Sequence, residues 1–257
     1  MDNLVKEEQL LQKRFLDLAN IADVRESLLF TDFLNLHEQN LFERIKRELP
    51  MIKYFTYGGY EGAERKILCF CGDYLIDNEE NIDYPISCIH IKPLNAKFSD
   101  KLNHRDILGA VLNLGINRSK VGDIIVDNNE SYLFCSNTIQ GFICNELSRI
   151  KHTVVSATLI DNQAFSYKPN LKPITGTVTS VRLDSVLSIA FKGSRSSLSG
   201  LIAGGKVFVN SKNILSNSYI LKENDVVSVR GYGKFIYEGA TNQTKKGRLF
   251  VKISLYV

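Results

Sequence analysis

Apolar residues recur every three or four positions near the start of the chain. Leu10, Leu11, Phe15 and Leu18 make one stripe, and Phe30, Phe33, Leu34, Leu41, Phe42 and Ile45 make a second. This spacing predicts helix over 3–49, punctuated at Thr31-Asp32 and ended at Pro50. The stripes read as core rather than as a partner groove. From Tyr54 to Lys66, Gly58, Gly59 and Gly62 stand among Tyr54, Tyr57 and Tyr60. That stretch predicts a turn-rich loop feeding a strand at Ile67–Cys71. No G-K-[ST] follows the glycines, so the loop is not a P-loop. Its tyrosines read as packing under the loop, with base stacking as the competing use.

The middle of the chain has a legible order. It predicts a strand at Ile86–Ile91, a helix at His104–Leu114 stopped by Gly115, and strands at Gly122–Val126 and Tyr132–Cys135 joined by a polar turn. A helix at Thr138–Leu147 and a strand at Thr153–Ile160 follow. This βαββαβ order is that of ferredoxin-like folds, which many RNA-binding modules share. Lys168–Pro173 contains two prolines without periodicity and reads as a linker. Beyond it, Arg182–Phe191 is an amphipathic helix with Leu183, Val186, Leu187 and Ala190 on its core side and Gly193 closing it. Ser194 caps a second helix, Arg195–Ile202, which ends at Gly204-Gly205. A strand at Lys206–Asn210, a turn to Asn213 and a strand at Val226–Arg230 complete the module. The expected class is α+β: a helical N-terminal region (1–80), a ferredoxin-like middle domain (81–165), a linker (166–175) and a small C-terminal α/β module (176–257).

Charge sharpens this division. From Ile174 to Val257 there are 12 Lys and Arg against 4 Asp and Glu, whereas the preceding residues hold 20 against 24. A basic module on a slightly acidic body points to a polyanion, most commonly nucleic acid, because each cation placed on a phosphate releases condensed counterions. The two short helices suggest how phosphate is held. The second helix offers its N-terminal N–H groups and dipole to an anion. Arg195 falls in that first turn, where the dipole disfavours a cation, and a phosphate between the two reconciles them. Arg182, Lys192, Ser194, Lys206 and Lys212 extend this surface, and Asn210 sits in the following turn. Each cation taken singly reads as an ordinary solvated residue; the set reads as a phosphate-binding surface. Arg105 and Arg118, flanking the helix at 104–114, are secondary candidates for RNA contact, against surface ion pairs. Cys69, Cys71, Cys88, Cys135 and Cys144 form no C-x-x-C and read as reduced, buried thiols rather than a metal site. No apolar run approaches the ~20 residues of a membrane span, and the start carries no apolar signal segment.

Two resemblances rest on specific residues. R-L-D-x-x-L at 182–187, S-R at 194–195, L-I-x-x-G-x-V-x-V-N at 201–210 and N-D-x-[VI]-x-V at 224–229 resemble the S4 RNA-binding domain. The departure is Ser196–Gly200, a weaker helix former than that family's usual stretch. F-x-Y-G-G-Y-x-x-A-E-R at 55–65, H-R-D-I-L-G-A-V-L-N-L-G-I-x-R at 104–118 and V-G-D-I-I-V at 121–126 resemble the YlmH family of bacterial RNA-binding proteins. That resemblance implies a cytoplasmic, non-catalytic RNA binder encoded among cell-division genes. It also implies rRNA and tRNA as partners, on the large ribosomal subunit carrying peptidyl-tRNA, in rescue of stalled translation. Two other readings stay open: an RNA-modifying enzyme with an S4 domain, and a protein–protein adaptor in cell division. His104-Arg105-Asp106 is no kinase loop, because Val111 stands where that loop needs Asn. No dinucleotide fingerprint, Ser-His-Asp pattern or H-E-x-x-H is present, so no catalytic residue, cofactor or metal is expected.

Overall fold

The run Ile67–Cys71 is apolar without alternation, and the structure gives it two faces to bury. This computed structural model describes residues 2–72, 82–95, 97, 99–161, 165, 167, 169–243 and 247–256, and the chain divides into two compact units, 1–167 and 168–257. In the first unit, strand β3 (Lys66–Cys71) lies between β1 (Leu28–Leu34) and β2 (Lys53–Tyr57), antiparallel to both. Leu68 and Phe70 pack with Phe15, Leu18 and Ala22 of helix α1 (Asp2–Arg25) and Phe42 of helix α2 (Leu36–Ile45). Ile67 and Cys69 pack the other way, with Ile86, Cys88, Ile125 and Phe134 of a second sheet.

That second sheet is the ferredoxin-like one. It contains β4 (Ile86–Pro93), β5 (Val121–Asp127), β6 (Glu130–Ser136), β7 (Arg149–Ile150) and β8 (Thr153–Ile160), in the order β5-β6-β4-β8-β7. Helices α3 (His104–Asn113) and α4 (Asn137–Glu146) cover its far face, packing Ile107, Val111 and Ile143 against Ile89, Ile91 and Leu133. Alternation with period two sorts each strand between the layers. Asn103 opens α3 with a capping box to Asp106, Gly115 follows it at φ 83° and Asn128 turns the β5–β6 hairpin at φ 53°. Residues 1–80 and 81–165 therefore share one hydrophobic core within one compact unit.

Two expectations are corrected here. Leu28–Leu34 is a strand, not helix. A bulge between Phe30 and Phe33 puts both on one face, so a strand imitates the i, i+3 spacing of a helix. Lys53–Tyr57 also pairs as a strand, and the turn-rich stretch begins only at Gly58. Gly59 adopts φ 99°, and a Cβ there would stand 2.3 Å from the Phe134 ring.

The motifs at 55–65 and 121–126 meet at a carboxylate. Asp123 accepts the Tyr60 hydroxyl at 2.9 Å, Glu64 N–H at 2.7 Å and Arg65 N–H at 3.0 Å. Arg65 donates onward to the carbonyls of Val121 (2.9 Å) and Phe33 (2.8 Å). Burial, then the Asp123 charge, pushes the Tyr60 phenol far above its usual range. Tyr60 also stacks on Phe134, centroid to centroid 5.0 Å. The network fastens the glycine-rich loop to the ferredoxin-like sheet.

In the second unit, β9 (Leu171–Val178), β10 (Val207–Val209), β11 (Lys212–Asn213), β12 (Asp225–Val229), β13 (Gly233–Gln243) and β14 (Leu249–Tyr256) form an antiparallel sheet ordered β11-β10-β12-β13-β14-β9. Helices α5 (Leu183–Ala190) and α6 (Arg195–Ala203) pack on it through Leu183, Val186, Leu187, Leu198 and Ile202. Of the segment read as a linker, residues 171–175 pair with β14 instead, and 166 and 168 lie outside the described residues. None of the five cysteines forms a disulfide, and burial pushes the Cys88 and Cys135 thiols up to about 12.

Replacing Asp123 with Ala removes three hydrogen bonds to a charged acceptor and leaves the Tyr60 hydroxyl unpaired. The expected cost is about 2–4 kcal/mol. Calorimetry should show the transition of the 1–167 unit falling while that of 168–257 stays; an unmoved first transition would remove Asp123 from the fastening role.

Candidate nucleic-acid interface

The expected phosphate-binding surface lies in the second unit, around the α5–α6 turn. Helix α5 ends at Phe191, and Lys192 takes the left-handed conformation at φ 49°. Closure therefore falls to Lys192, not Gly193. Gly193 serves a different need: a Cβ there would sit 3.1 Å from Leu198 Cδ1. Ser194 caps α6, its Oγ accepting from Ser197 N–H at 3.2 Å and donating to Ser197 Oγ at 3.0 Å. Its hydroxyl is thus committed to the helix end. The backbone of Arg195 opens α6 as expected; its side chain lies outside the described residues.

The remaining candidates divide into engaged and exposed groups. Arg182 forks onto the Asp184 carboxylate, at 3.2 Å from Nε and 3.1 Å from Nη2. The R-L-D motif is therefore a local clamp, with the guanidinium still partly exposed. Asn210 buckles the fold. Its Nδ2 donates to Asp225 Oδ1 at 2.7 Å, and its Oδ1 accepts Val226 N–H at 2.9 Å. Asp225, only 5% exposed, also accepts Lys222 N–H at 2.7 Å. Asn210 and Ser211, at φ 49° and 66°, make the tight turn before β11. Lys192, Lys206 and Lys212 are exposed at the ends of these elements. Lys192 and Lys206 lie on loops and Lys212 opens β11, while the apolar sides of α5 and α6 stay in the core.

In the first unit, the two secondary candidates part company. Arg118 donates to the carbonyls of Val121 and, at 3.5 Å, Gly122. Burial and neighbouring Arg65 bring its pKa down to about 10. Its guanidinium is engaged with the backbone of its own fold. Arg105 stays exposed in the first turn of α3. The helix-free face of the ferredoxin-like sheet carries aromatics on its two central strands, with His90 and Tyr132 stacked at 4.9 Å. Phe165 lies over Tyr132 and Phe134, at 5.0 and 5.1 Å, and Tyr167 packs on Tyr60 at 5.8 Å. Tyr60 is thus packed under its loop. Linear reading passed over Lys101 and Arg149, two exposed cations on the elements that carry or adjoin Arg105. The signal available was their contrast with an otherwise acidic unit. It also missed β9, β13 and β14, which complete the second sheet.

Among the described residues, no group of three or more His, Cys, Asp or Glu could hold a metal ion, and no helix is long and apolar enough to cross a membrane.

Comparison with known families agrees with this geometry. The "S4 domain" model matches residues 181–227, the segment from the Arg182 clamp to the Asp225 buckle. The second unit is therefore an S4-type RNA-binding module extended by three strands. The "YlmH, N-terminal" model matches 7–75 and "Putative RNA-binding domain in YlmH" matches 79–164. With the three models following one another in order, the chain belongs to the YlmH family. A relative named "Ribosome-associated protein quality control protein P2", from Bacillus subtilis (strain 168), is 28% identical over 247 residues, covering 95% of this chain and 93% of that protein. A solved structure described as "Cell division protein ylmH from Streptococcus pneumoniae" aligns with 61% of this chain and 93% of its own, at 22% identity and a TM-score of 0.49.

Asn210→Ala should destabilise the second unit by about 1–3 kcal/mol, because Asp225 stays buried with one donor fewer. Denaturant unfolding measures it. A variant as stable as the wild type would show that Asn210 does not hold the turn.

Proposed function

We propose that this protein is a non-catalytic RNA-binding protein that grips the backbone of structured RNA through its S4 module. Its proposed place of action is the large ribosomal subunit carrying peptidyl-tRNA, in rescue of stalled translation. The observation that carries this reading is the S4 surface itself. Lys192, Lys206 and Lys212 are exposed around two short helices whose cores are fully packed, on a module with a large excess of basic residues. Such a surface suits phosphates, whose positions report the shape of a folded RNA more than its base sequence. The name of the Bacillus subtilis relative supports the ribosome as the setting. Arg195 is the proposed direct phosphate contact. Arg182, Lys192, Lys206 and Lys212 supply the surrounding field, while Ser194 and Asn210 hold the geometry.

Co-sedimentation with purified ribosomal subunits, empty or carrying peptidyl-tRNA, across a salt series tests the reading. The expected result is salt-sensitive binding to the large subunit, stronger with peptidyl-tRNA. Arg195→Glu with Lys206→Glu should abolish that binding with little change in melting temperature. Absence of wild-type binding at low salt would sink the ribosomal reading. Salt-resistant, nuclease-resistant binding would instead indicate a protein adaptor.

A further inference from the structure

The unit 1–167 holds 18 Lys and Arg against 24 Asp and Glu, so phosphate is repelled over most of it. Two short stretches reverse the balance. Residues 97–106 and 149–152 carry Lys97, Lys101, Arg105, Arg149 and Lys151 against only Asp100 and Asp106. They lie nearly fifty residues apart in sequence, and the fold stitches them together. Lys151 Nζ is 2.7 Å from Asp106 Oδ2. Asp100 Oδ2 accepts His152 N–H and the Thr153 hydroxyl, each at 3.2 Å, and Asp100 N–H donates to Thr153 Oγ1 at 2.8 Å. Helix α3 packs against β7, the edge strand of the sheet.

These bonds consume both carboxylates of the edge. Asp106 completes the capping box of α3 as well as pairing with Lys151, whose hydrogen bond holds it below the usual carboxylate range. Asp100 is committed to the turn between β7 and β8. The basic side chains face outward: Lys97, Lys101, Arg105, Arg149 and Lys151 are all exposed. Lys151 itself turns the chain at φ 52°. The end of α3 is not the attraction, because Asn103 Oδ1 already takes the N–H groups of Arg105 (2.9 Å) and Asp106 (3.2 Å). The attraction comes from side chains.

The alternative surface of this domain is poorly suited to phosphate. The helix-free face of the sheet has Phe165 lying over Tyr132 and Phe134. Its β5–β6 hairpin carries Asp127 and Glu130, both exposed.

We propose that this edge, formed by the start of α3 and the β7–β8 turn, binds RNA phosphates and is the RNA-contacting surface of the domain at 79–164. The proposal rests on the RNA-binding reading above and adds a second contact surface, separate from the S4 module. Lys101, Arg105 and Arg149 are its principal contacts, because none of the three is used in the stitching.

The test uses the full-length chain and purified large ribosomal subunits. Lys101→Gln with Arg105→Gln and Arg149→Gln should weaken binding at least about tenfold at low salt. It should also make the slope of log affinity against log salt shallower by about two, with the unfolding transitions unchanged. An unchanged affinity and slope, in conditions where Arg195→Glu with Lys206→Glu abolishes binding, would overturn the edge while leaving the S4 reading standing. Absence of wild-type binding would overturn both. A photo-crosslinking residue placed singly at 105 or 149 gives a readout independent of the triple variant's folding. Crosslinks to rRNA or tRNA support the proposal, and crosslinks to ribosomal protein alone overturn RNA as the occupant.

Discussion

Strand β3 is buried on both faces, and the first unit is organised around that constraint. Leu68 and Phe70 meet α1 and α2, and Ile67 and Cys69 meet the ferredoxin-like sheet. The buried run Ile67–Cys71 can carry no charge, so polar fastening has to occur at its ends. Arg65, immediately before β3, and Asp123, at the bulge of β5, perform that fastening. The carboxylate accepts three donors from one loop, and the guanidinium spends itself on backbone carbonyls of two sheets. The glycines of that loop follow from the same demand. At Gly59 the backbone passes so close to Phe134 that a side chain is excluded. The motif residues at 55–65 and 121–126 are thus first a structural joint.

A second consequence concerns cations. Arg65, Arg118 and, in the other unit, Arg182 have their donors directed at carbonyls or a carboxylate, which leaves exposed lysines and Arg105 to meet solvent or a ligand. Net charge therefore understates how locally attraction can act. Fields between exposed charges decay over about 8 Å at physiological ionic strength. An acidic unit can then still carry a locally basic edge.

The ferredoxin-like order was readable because its elements are local: each helix and hairpin carries its own cap or turn, such as Asn103 and Asn128. The S4 helices were readable for the same reason. Strand β1 was not, because a bulge gave Phe30 and Phe33 helical spacing. Nor was β9, whose partner β14 is distant in the chain, while β13 and β14 went unread although each pairs with a chain neighbour. Among the candidate site residues, type and spacing lead only to the proposal of an α5–α6 surface. They could not separate Arg118 from Arg105, since both flank α3 and only tertiary packing buries one of them. Asn210 belongs to the same class: its role comes from Asp225, fifteen residues away.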